Sequence, residues 1–461
     1  MLFYLNFKYC FQKYEKYIGW YDFMEKLYNF ENFKHSEFMS RILLKNIAVE
    51  GITSDIFIED GVIASLHPSD NQLYAGVDPS VEVVDCKGKA AVPGFVNMHT
   101  HAGMSMMRGI GEDMSFHKWL EKIWDVEAKI DEDYVYLATK VACLEMIKTG
   151  TTTFNDHYWY MPMAYKAVTE MGLRAVLAYV VCDRNEPDEA ERQKLQCEQM
   201  YQFTRQWGDI TSFAIAIHAI YSVSEDMFLW AVRFARERGL KIHIHLSETR
   251  KEIEDCIREH NGMSPVEYLD SLGVLGPDVI AAHTLWLSEN DIRILGERGV
   301  NCVHNVNSNL KLASGYRFLY NELRDAGANI CLGTDGCASS NNLDMLETMK
   351  TSAMIQKAWR DDPMAMPLNE IMDMATANAG KALGLPIGRI AEGMAADILI
   401  VDTAGYHFLS PASFEANLIY SAHSDSIESV ICNGKFVMRD RIVAGEEEIL
   451  AGARKVLNKI I

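Results

Sequence analysis

Hydrophobic residues follow two different patterns along this chain. Near both ends, short β-type runs alternate with turn signals, as in ILLKNIAVEG, DIFIEDGVIASL and SIESVICNGKFVMRDRIV, where Asn433-Gly434 is a hairpin signal. In the centre, apolar β-rich runs alternate with segments of helical periodicity such as SEDMFLWAVRFARERG. The ends therefore predict small antiparallel strands, and the centre predicts βα units around a parallel sheet.

The central region contains eight apolar runs that we interpret as strands. They cover residues 94–101, 151–157, 174–181, 212–219, 241–247, 279–287, 300–307 and 329–336. Eight such units within about 290 residues fit a (β/α)8 TIM barrel. A doubly wound sheet is the weaker alternative because no GxGxxG follows a strand. The predicted α/β fold is a barrel over residues 93–385, with a β-sandwich domain formed by residues 39–92 and 386–461.

The first 38 residues differ from the rest of the chain. They are crowded with aromatic residues and lysines, and their short, interrupted apolar runs make a poor signal peptide. Met39 opens the first strand-rich segment. We predict that residues 1–38 are a non-native or flexible extension, with an amphipathic helical arm as the alternative.

Charge and cysteine usage limit the classes of partner. The net charge of −20 disfavours nucleic acid and anionic lipid, and no run of about 18 apolar residues predicts a membrane span. The ten cysteines form no CxxC pair, zinc-finger pattern or HxE…PCxxC pattern. We therefore expect reduced thiols, a cytoplasmic location, a small-molecule substrate and, as an open question, a homo-oligomer.

Histidine and aspartate collect at the ends of the predicted strands. His99 and His101 lie two residues apart, which is the strand period, so both rings point to the same side. The other strand ends carry Asp156, His157, His218, His245, His283, His304 and Asp335. Because the carboxyl ends of barrel strands form one face, these side chains are expected to lie close together.

Four of these residues make a plausible metal site. His99, His101, His245 and Asp335 offer three nitrogens and one oxygen, which suit a divalent cation, either Zn²⁺ or Fe²⁺. A remaining position for water would make the site catalytic. No lysine ends the fourth strand, where a carbamylated bridge between two metals would sit, so we predict one metal.

Several ordered motifs resemble the amidohydrolase superfamily. They are PGFVNMHTH, IHLSET at 244–249, AAHT at 281–284, SNLKLASG at 308–315 and GTDGCASSNNLDM at 333–345. Within that superfamily the chain is similar to the 5-methylthioadenosine/S-adenosylhomocysteine deaminase family, and TGTTTFNDHYW, ATANAGKALGL and GRIAEGMAADILIVD strengthen the likeness. The resemblance covers roughly residues 40–461.

The resemblance implies a role for each matching residue. Besides the four metal ligands, it implies that Glu248 is a proton shuttle and that His283 polarises the water. It also implies that His218 faces the substrate and that Glu127 holds the ribose hydroxyls. Arg184 is a candidate contact for a substrate carboxylate, with a solvated loop charge as the alternative. We assign His157 and His304 supporting roles.

The chemistry of deamination suits these residues. Water must attack an aromatic ring carbon while a carboxylic acid gives a proton to the ring nitrogen and another to the leaving ammonia. Glu248 can supply those protons, and Asp335 can accept the proton of the water. We predict a deaminase of S-adenosylhomocysteine, methylthioadenosine or adenosine. The alternatives are a deaminase of another purine, pterin or pyrimidine base, a triazine chlorohydrolase and, disfavoured because no ligand is missing, an inactive scaffold.

Overall fold

Two eight-stranded sheets organise the part of the chain that this computed structural model describes, residues 41–69, 78–458 and 460. The predicted extension at residues 1–38 lies outside that part. The first sheet combines strands from both ends of the chain: β1 (Arg41–Val49), β2 (Ile52–Glu59), β3 (Val62–Pro68), β4 (Glu82–Asp85), β5 (Lys89–Pro93), β14 (Ile398–Asp402), β15 (Ile427–Cys432) and β16 (Lys435–Met438). Its order is β16-β15-β14-β5-β1-β2-β3, with β4 paired to β1.

The second sheet contains the remaining eight strands, all parallel and in sequence order. They are β6 (Phe95–Thr100), β7 (Thr151–His157), β8 (Arg174–Val181), β9 (Thr211–Ile217), β10 (Lys241–Leu246), β11 (Val279–His283), β12 (Asn301–His304) and β13 (Asn329–Leu332). Just after β13, the amide of Asp335 donates to the carbonyl of His99 over 2.9 Å, which brings the last strand back to the first. A nearly closed parallel barrel with an additional mixed sheet confirms the predicted fold class.

Helices separate most of the barrel strands. They are α1 (Phe116–Glu127), α2 (Glu132–Lys148), α3 (Met161–Met171), α4 (Pro187–Phe203), α5 (Glu225–Glu237), α6 (Arg250–Glu259), α7 (Pro265–Ser271), α8 (Glu289–Arg298), α9 (Val306–Lys311), α10 (Tyr320–Asp325), α11 (Met345–Arg360), α12 (Leu368–Ala375), α13 (Ala377–Leu383), α14 (Phe414–Ala416) and α15 (Glu446–Leu457). Short 3-10 turns cover Ala102–Met107, Thr204–Gln206, Tyr406–Phe408 and Ser424–Ser426, and one π turn covers Asn417–Ser421. In the described part of the chain, no helix is long and apolar enough to cross a membrane.

Local sequence explains where many of these elements begin. The Ser224 hydroxyl accepts a hydrogen bond from the Met227 amide at the start of α5, and Ser264 and Ser288 form capping boxes at α7 and α8. The strand residues of β11 are all buried, as expected for a parallel strand covered on both faces. The βα pattern thus follows from capping signals between apolar runs.

Three predicted strands extend three or four residues beyond the observed ones. The runs 279–287, 300–307 and 329–336 end in the structure at His283, His304 and Leu332. After β11 the chain turns through left-handed backbone conformations, with φ of 74° at His283 and 43° at Thr284, and after β12 it enters α9 at Val306. Side chains predicted to lie on strands therefore project from the turns that follow them.

Candidate active site

Three imidazoles and one carboxylate converge at the carboxyl end of the barrel. Nε2 of His99 and Nε2 of His101 lie 3.3 and 3.1 Å from Oδ1 of Asp335. The Nε2 atoms of His101 and His245 are 3.4 Å apart. One ligand atom from each of the three histidines lies within 4.8 Å of the other two. The structure therefore brings together the four residues predicted to hold a metal.

The second ring nitrogen of each histidine is already engaged. Nδ1 of His101 donates to the His157 carbonyl over 2.6 Å, and Nδ1 of His245 donates to the His218 carbonyl over 2.8 Å. Nδ1 of His99 lies 2.8 Å from Nε2 of His243. These contacts orient the rings and leave the Nε2 lone pairs directed at the common centre.

The centre fits a divalent cation. Burial lowers the pKa of His99 to about 3 and holds the pKa of His245 well below its ordinary value, so both rings are neutral lone-pair donors. Although burial opposes it, the Asp335 carboxylate 3.1 Å from Nε2 raises the pKa of His101 to about 8. Nε2 of His99 is buried without a hydrogen-bond partner among the described residues. Imidazole nitrogens and a carboxylate oxygen arranged in this way are ligands for a metal such as zinc.

Hydroxyl groups hold Asp335 in position. Its Oδ2 accepts from Ser308 Oγ over 2.6 Å and from Ser339 Oγ over 2.9 Å, while Oδ1 accepts from the Gly336 amide over 2.8 Å. Such bonds restrict the rotation of a carboxylate beside a metal centre. Oδ1 thereby remains aimed at His99 and His101.

Glu248 and His283 face each other beside this centre. Oε2 of Glu248 lies 3.9 Å from Nε2 of His283, whose Nδ1 donates to Oδ1 of Asn309 over 2.9 Å. Burial raises the pKa of the Glu248 carboxyl, which favours its protonated form. A buried acid next to an oriented imidazole can move a proton near a group held at the centre.

Two supporting residues were missed in the sequence. Glu252 accepts from the amides of Ser247 and Glu248, both over 2.8 Å, and so shapes the turn that carries Glu248. Its signal is the capping-box spacing from Thr249 to Glu252. His243 contacts His99 from behind, and its signal is an HxH spacing with His245 that repeats the spacing of the first strand.

A cavity opens over the centre and is lined largely by aromatic residues. Its lining includes Met104, Phe116, Trp119, Leu120, Ile123, Trp124, Glu127, His157, Tyr158, Trp159, His218, Tyr221 and Leu312, besides groups of the centre itself. Among these described lining residues there is no lysine or arginine. The aromatic lining therefore suits a flat ligand.

Glu127 lies in the wall of this cavity at the end of α1. Its Oε1 accepts from the Tyr158 hydroxyl over 2.9 Å, and burial raises its pKa to about 7. The ring of Tyr158 packs on Gly103, where an added Cβ would lie only 2.0 Å away. At the other end of α1, the Trp119 indole donates to the Ala338 carbonyl over 3.1 Å. The helix is thus attached at both ends to loops that follow the metal-site residues.

The other candidate residues are distributed differently. His218 lines the cavity, and its Nδ1 lies 2.8 Å from Ser222 Oγ. His157 also lines the cavity, although we assigned it a supporting role, and within the described residues neither ring nitrogen has a partner. His304 instead stacks on Phe318 at 4.2 Å. Arg184 does not line the cavity, and its amide donates to the Ser222 carbonyl over 2.9 Å.

Residues 90–437 match the family model described as "Amidohydrolase family". The chain belongs to the amidohydrolase family. This amidohydrolase is 44% identical to a 5′-deoxyadenosine deaminase of Methanoregula boonei, over 82% of this chain and 86% of that protein. It is 40% identical to 5-methylthioadenosine/S-adenosylhomocysteine deaminase 1 of Archaeoglobus fulgidus, over 80% and 87% of the two chains.

Solved structures agree with this assignment. A zinc-bound adenosine deaminase from Xanthomonas campestris has a TM-score of 0.85 and 30% identity to the amidohydrolase, covering 91% of this chain and 98% of that one. A zinc complex of atrazine chlorohydrolase from Arthrobacter aurescens has a TM-score of 0.82 and 22% identity, covering 90% and 100% of the two chains. At that identity the second likeness shows the fold alone.

Proposed function

We propose that this amidohydrolase is a metal-dependent deaminase of adenine nucleosides, with 5′-deoxyadenosine as its main substrate. The observation that carries the proposal is the Glu248–His283 pair beside a centre of three histidines and one aspartate. Relatives named 5′-deoxyadenosine deaminase, 37–44% identical to the chain, support the choice of nucleoside. The products would be the inosyl nucleoside and ammonia.

We infer that the cation is Zn²⁺, with Fe²⁺ as the alternative. The three nitrogens and one oxygen form a donor set that zinc favours, and the 30% identical adenosine deaminase carries zinc. His99, His101, His245 and Asp335 would hold it. When bound, the cation supplies Lewis-acid polarisation of the attacking water.

The protein's own groups would move the protons. Glu248, whose pKa burial raises, would donate a proton to the ring nitrogen next to the attacked carbon as the water oxygen bonds to that carbon. Asp335 accepts the first proton of the water, and His283 orients the water. Glu248 then takes the hydroxyl proton of the tetrahedral carbon and passes it to the amino group, which leaves as ammonia. The proton on Asp335 restores Glu248 when the product departs.

The cavity accounts for the nucleoside part of the substrate. Glu127, next to Tyr158, would accept hydrogen bonds from the ribose hydroxyls, and His218 would contact the base. The lining of this cavity has no lysine or arginine among its described residues, so any part of the 5′ group that lies within it would be uncharged. The role of Arg184 as a contact for a carboxylate stays a prediction.

An ammonia-release assay tests this function. The metal-loaded protein should release ammonia from 5′-deoxyadenosine, methylthioadenosine and adenosine, and much more slowly from adenine, guanine or cytosine. Release from free bases alone would overturn the nucleoside assignment. A triazine substrate has no independent support, because those neighbours share only the fold.

Three further features stay proposals. We place the enzyme in the cytoplasm, since all nine cysteines that the structure describes are free and buried. Self-association remains a proposal, as do the domain boundaries after residues 92 and 385.

A further inference from the structure

A second cavity of about 600 Å³ adjoins the first at the same end of the barrel. Phe116 and Leu312 line both cavities and so form the wall between them. The turns after β10 and β11 and the segment after α9 supply the rest of its lining. We refer to this space as the outer cavity.

The outer cavity is positively charged in an acidic protein. Arg250, Lys251 and Arg317 line it, and no aspartate or glutamate does so among its described lining residues. The whole chain has 64 acidic and 44 basic residues. Lys251 is paired with Asp255 over 2.6 Å, so Arg250 and Arg317 are the cations that would attract an anion from solution.

Polar and aromatic groups accompany these cations. The Arg250 guanidinium lies 4.7 Å from the centre of the Trp286 ring, and the Trp286 indole donates to the Ser314 carbonyl over 2.7 Å. Ser314 is only 8% exposed, and its buried hydroxyl has no hydrogen-bond partner among the described residues. Buried hydroxyls normally find a partner, so this group indicates a ligand or water.

The backbone keeps this arrangement close to the catalytic groups. Arg250 follows Glu248 by two residues. Gly315, whose φ is 159°, packs tightly on Leu285: a Cβ added to this glycine would lie 2.5 Å from the Leu285 side chain. The loop that bears Ser314 and Arg317 is therefore held against the turn after β11.

We propose that the outer cavity binds the phosphate or carboxylate group of a nucleotide-sized ligand. Arg250 and Arg317 hold the anion, because guanidinium forks match these oxygens, and Trp286 and Tyr316 provide the aromatic surface. The anion has two sources: a separate molecule bound beside the nucleoside cavity, or the 5′ tail of a nucleoside that occupies that cavity. The second source rests on the proposed function, whereas the first does not.

Calorimetry with uridine 5′-monophosphate tests the first source. This probe has a phosphate but no adenine amino group, so binding needs no turnover. Arg250→Gln and Arg317→Gln should each weaken binding at least tenfold, while Arg233→Gln, the same charge change on α5, should alter it less than twofold. Binding that survives both cavity variants unchanged would overturn the proposal.

A kinetic comparison tests the second source. If uridine 5′-monophosphate does not bind the wild type, the proposal requires KM for adenosine 5′-monophosphate to rise at least tenfold in each cavity variant, with adenosine unchanged. The proposal would be overturned if the wild type does not bind uridine 5′-monophosphate and if the cavity variants change KM for adenosine 5′-monophosphate no more than KM for adenosine. Absence of deamination with every substrate would instead refute the proposed function. Calorimetry alone would then decide whether the outer cavity binds an anion.

Discussion

Polar side chains are buried at both ends of the barrel, but the two clusters are completed differently. At the amino end of β8, Arg174 pairs with Asp397 over 3.1 and 3.3 Å, and Asp397 also accepts from the Asn433 amide over 2.7 Å. At the carboxyl end, Nε2 of His99 lies 3.3 Å from Oδ1 of Asp335 but makes no hydrogen bond among the described residues, and the Nε2 atoms of His101 and His245 face each other.

The difference separates a structural cluster from a functional one. The hydrogen-bonded pair of Arg174 and Asp397 connects the barrel to the additional sheet and needs no ligand to complete it. Lone pairs that converge on one point are unfavourable until a cation joins them. Completeness of hydrogen bonding, rather than burial alone, therefore distinguishes these two clusters.

The largest expected effect is on catalysis at the carboxyl end. Glu248→Gln removes the group that we propose moves protons and should lower kcat about 10³-fold, with metal content unchanged. Steady-state kinetics and elemental analysis measure the two quantities. Glu252→Gln is the matched control, since Glu252 only shapes the same turn and should cost far less activity. Full activity of Glu248→Gln would refute the proton-shuttle role.

At the amino end, the expected effect is on stability alone. Asp397→Ala leaves the Arg174 charge buried and should lower the free energy of unfolding by about 3–5 kcal/mol. Asp278→Ala, which breaks a partly exposed pair with Arg236, should cost about 0–1 kcal/mol. Urea denaturation checks both values. A change in kcat of the folded Asp397→Ala protein would contradict the separation of the two clusters.

His243→Ala tests support of the metal site from behind. Loss of its contact with His99 Nδ1 should weaken metal affinity about 10–100-fold, measured by competition with a chelator. His304→Ala removes another buried imidazole, one stacked on Phe318, and should leave metal affinity within about twofold. Equal losses in the two variants would assign the effect to general destabilisation.

The smallest expected effect is at the ribose contact. Tyr158→Phe removes the hydroxyl that donates to Glu127 and so no longer holds this carboxylate in position for the ribose. KM for 5′-deoxyadenosine should therefore rise about tenfold, with kcat nearly unchanged. With 2′,3′-dideoxyadenosine, which lacks both hydroxyls, the variant and the wild type should have the same KM. If both substrates respond equally, Tyr158 has no specific role in ribose binding.

The same variant should shift a pH profile. Burial raises the pKa of Glu127 to about 7, and the Tyr158 hydrogen bond opposes that rise. Protonation removes an acceptor, so KM should increase as the pH falls below about 7. Without the tyrosine hydroxyl the pKa increases further, and the limb of the profile should move to higher pH.

Much of the barrel and of the metal centre could be predicted because both depend on local patterns. The HxH spacing and the predicted strand ends at His245 and Asp335 were sufficient to indicate that these four residues lie close together, as the structure shows. The predicted strand ends were less accurate, since the left-handed turns at His283 and Asp335 lie within apolar or motif residues that continue the run.

Residues that act through others could not be predicted in this way. The contact of Tyr158 with Glu127 joins the end of β7 to the end of α1, and it depends on a ring that packs on Gly103. Such contacts arise from tertiary packing, which single-sequence periodicity does not encode.

Metal stoichiometry tests the central claim most directly. The metal-free protein should be inactive, and stepwise addition of Zn²⁺ should restore ammonia release from 5′-deoxyadenosine in proportion, up to one equivalent per chain. Asp335→Ala should show neither tight binding nor recovery. Full activity in folded protein without a bound cation, or recovery that requires two equivalents, would contradict the account.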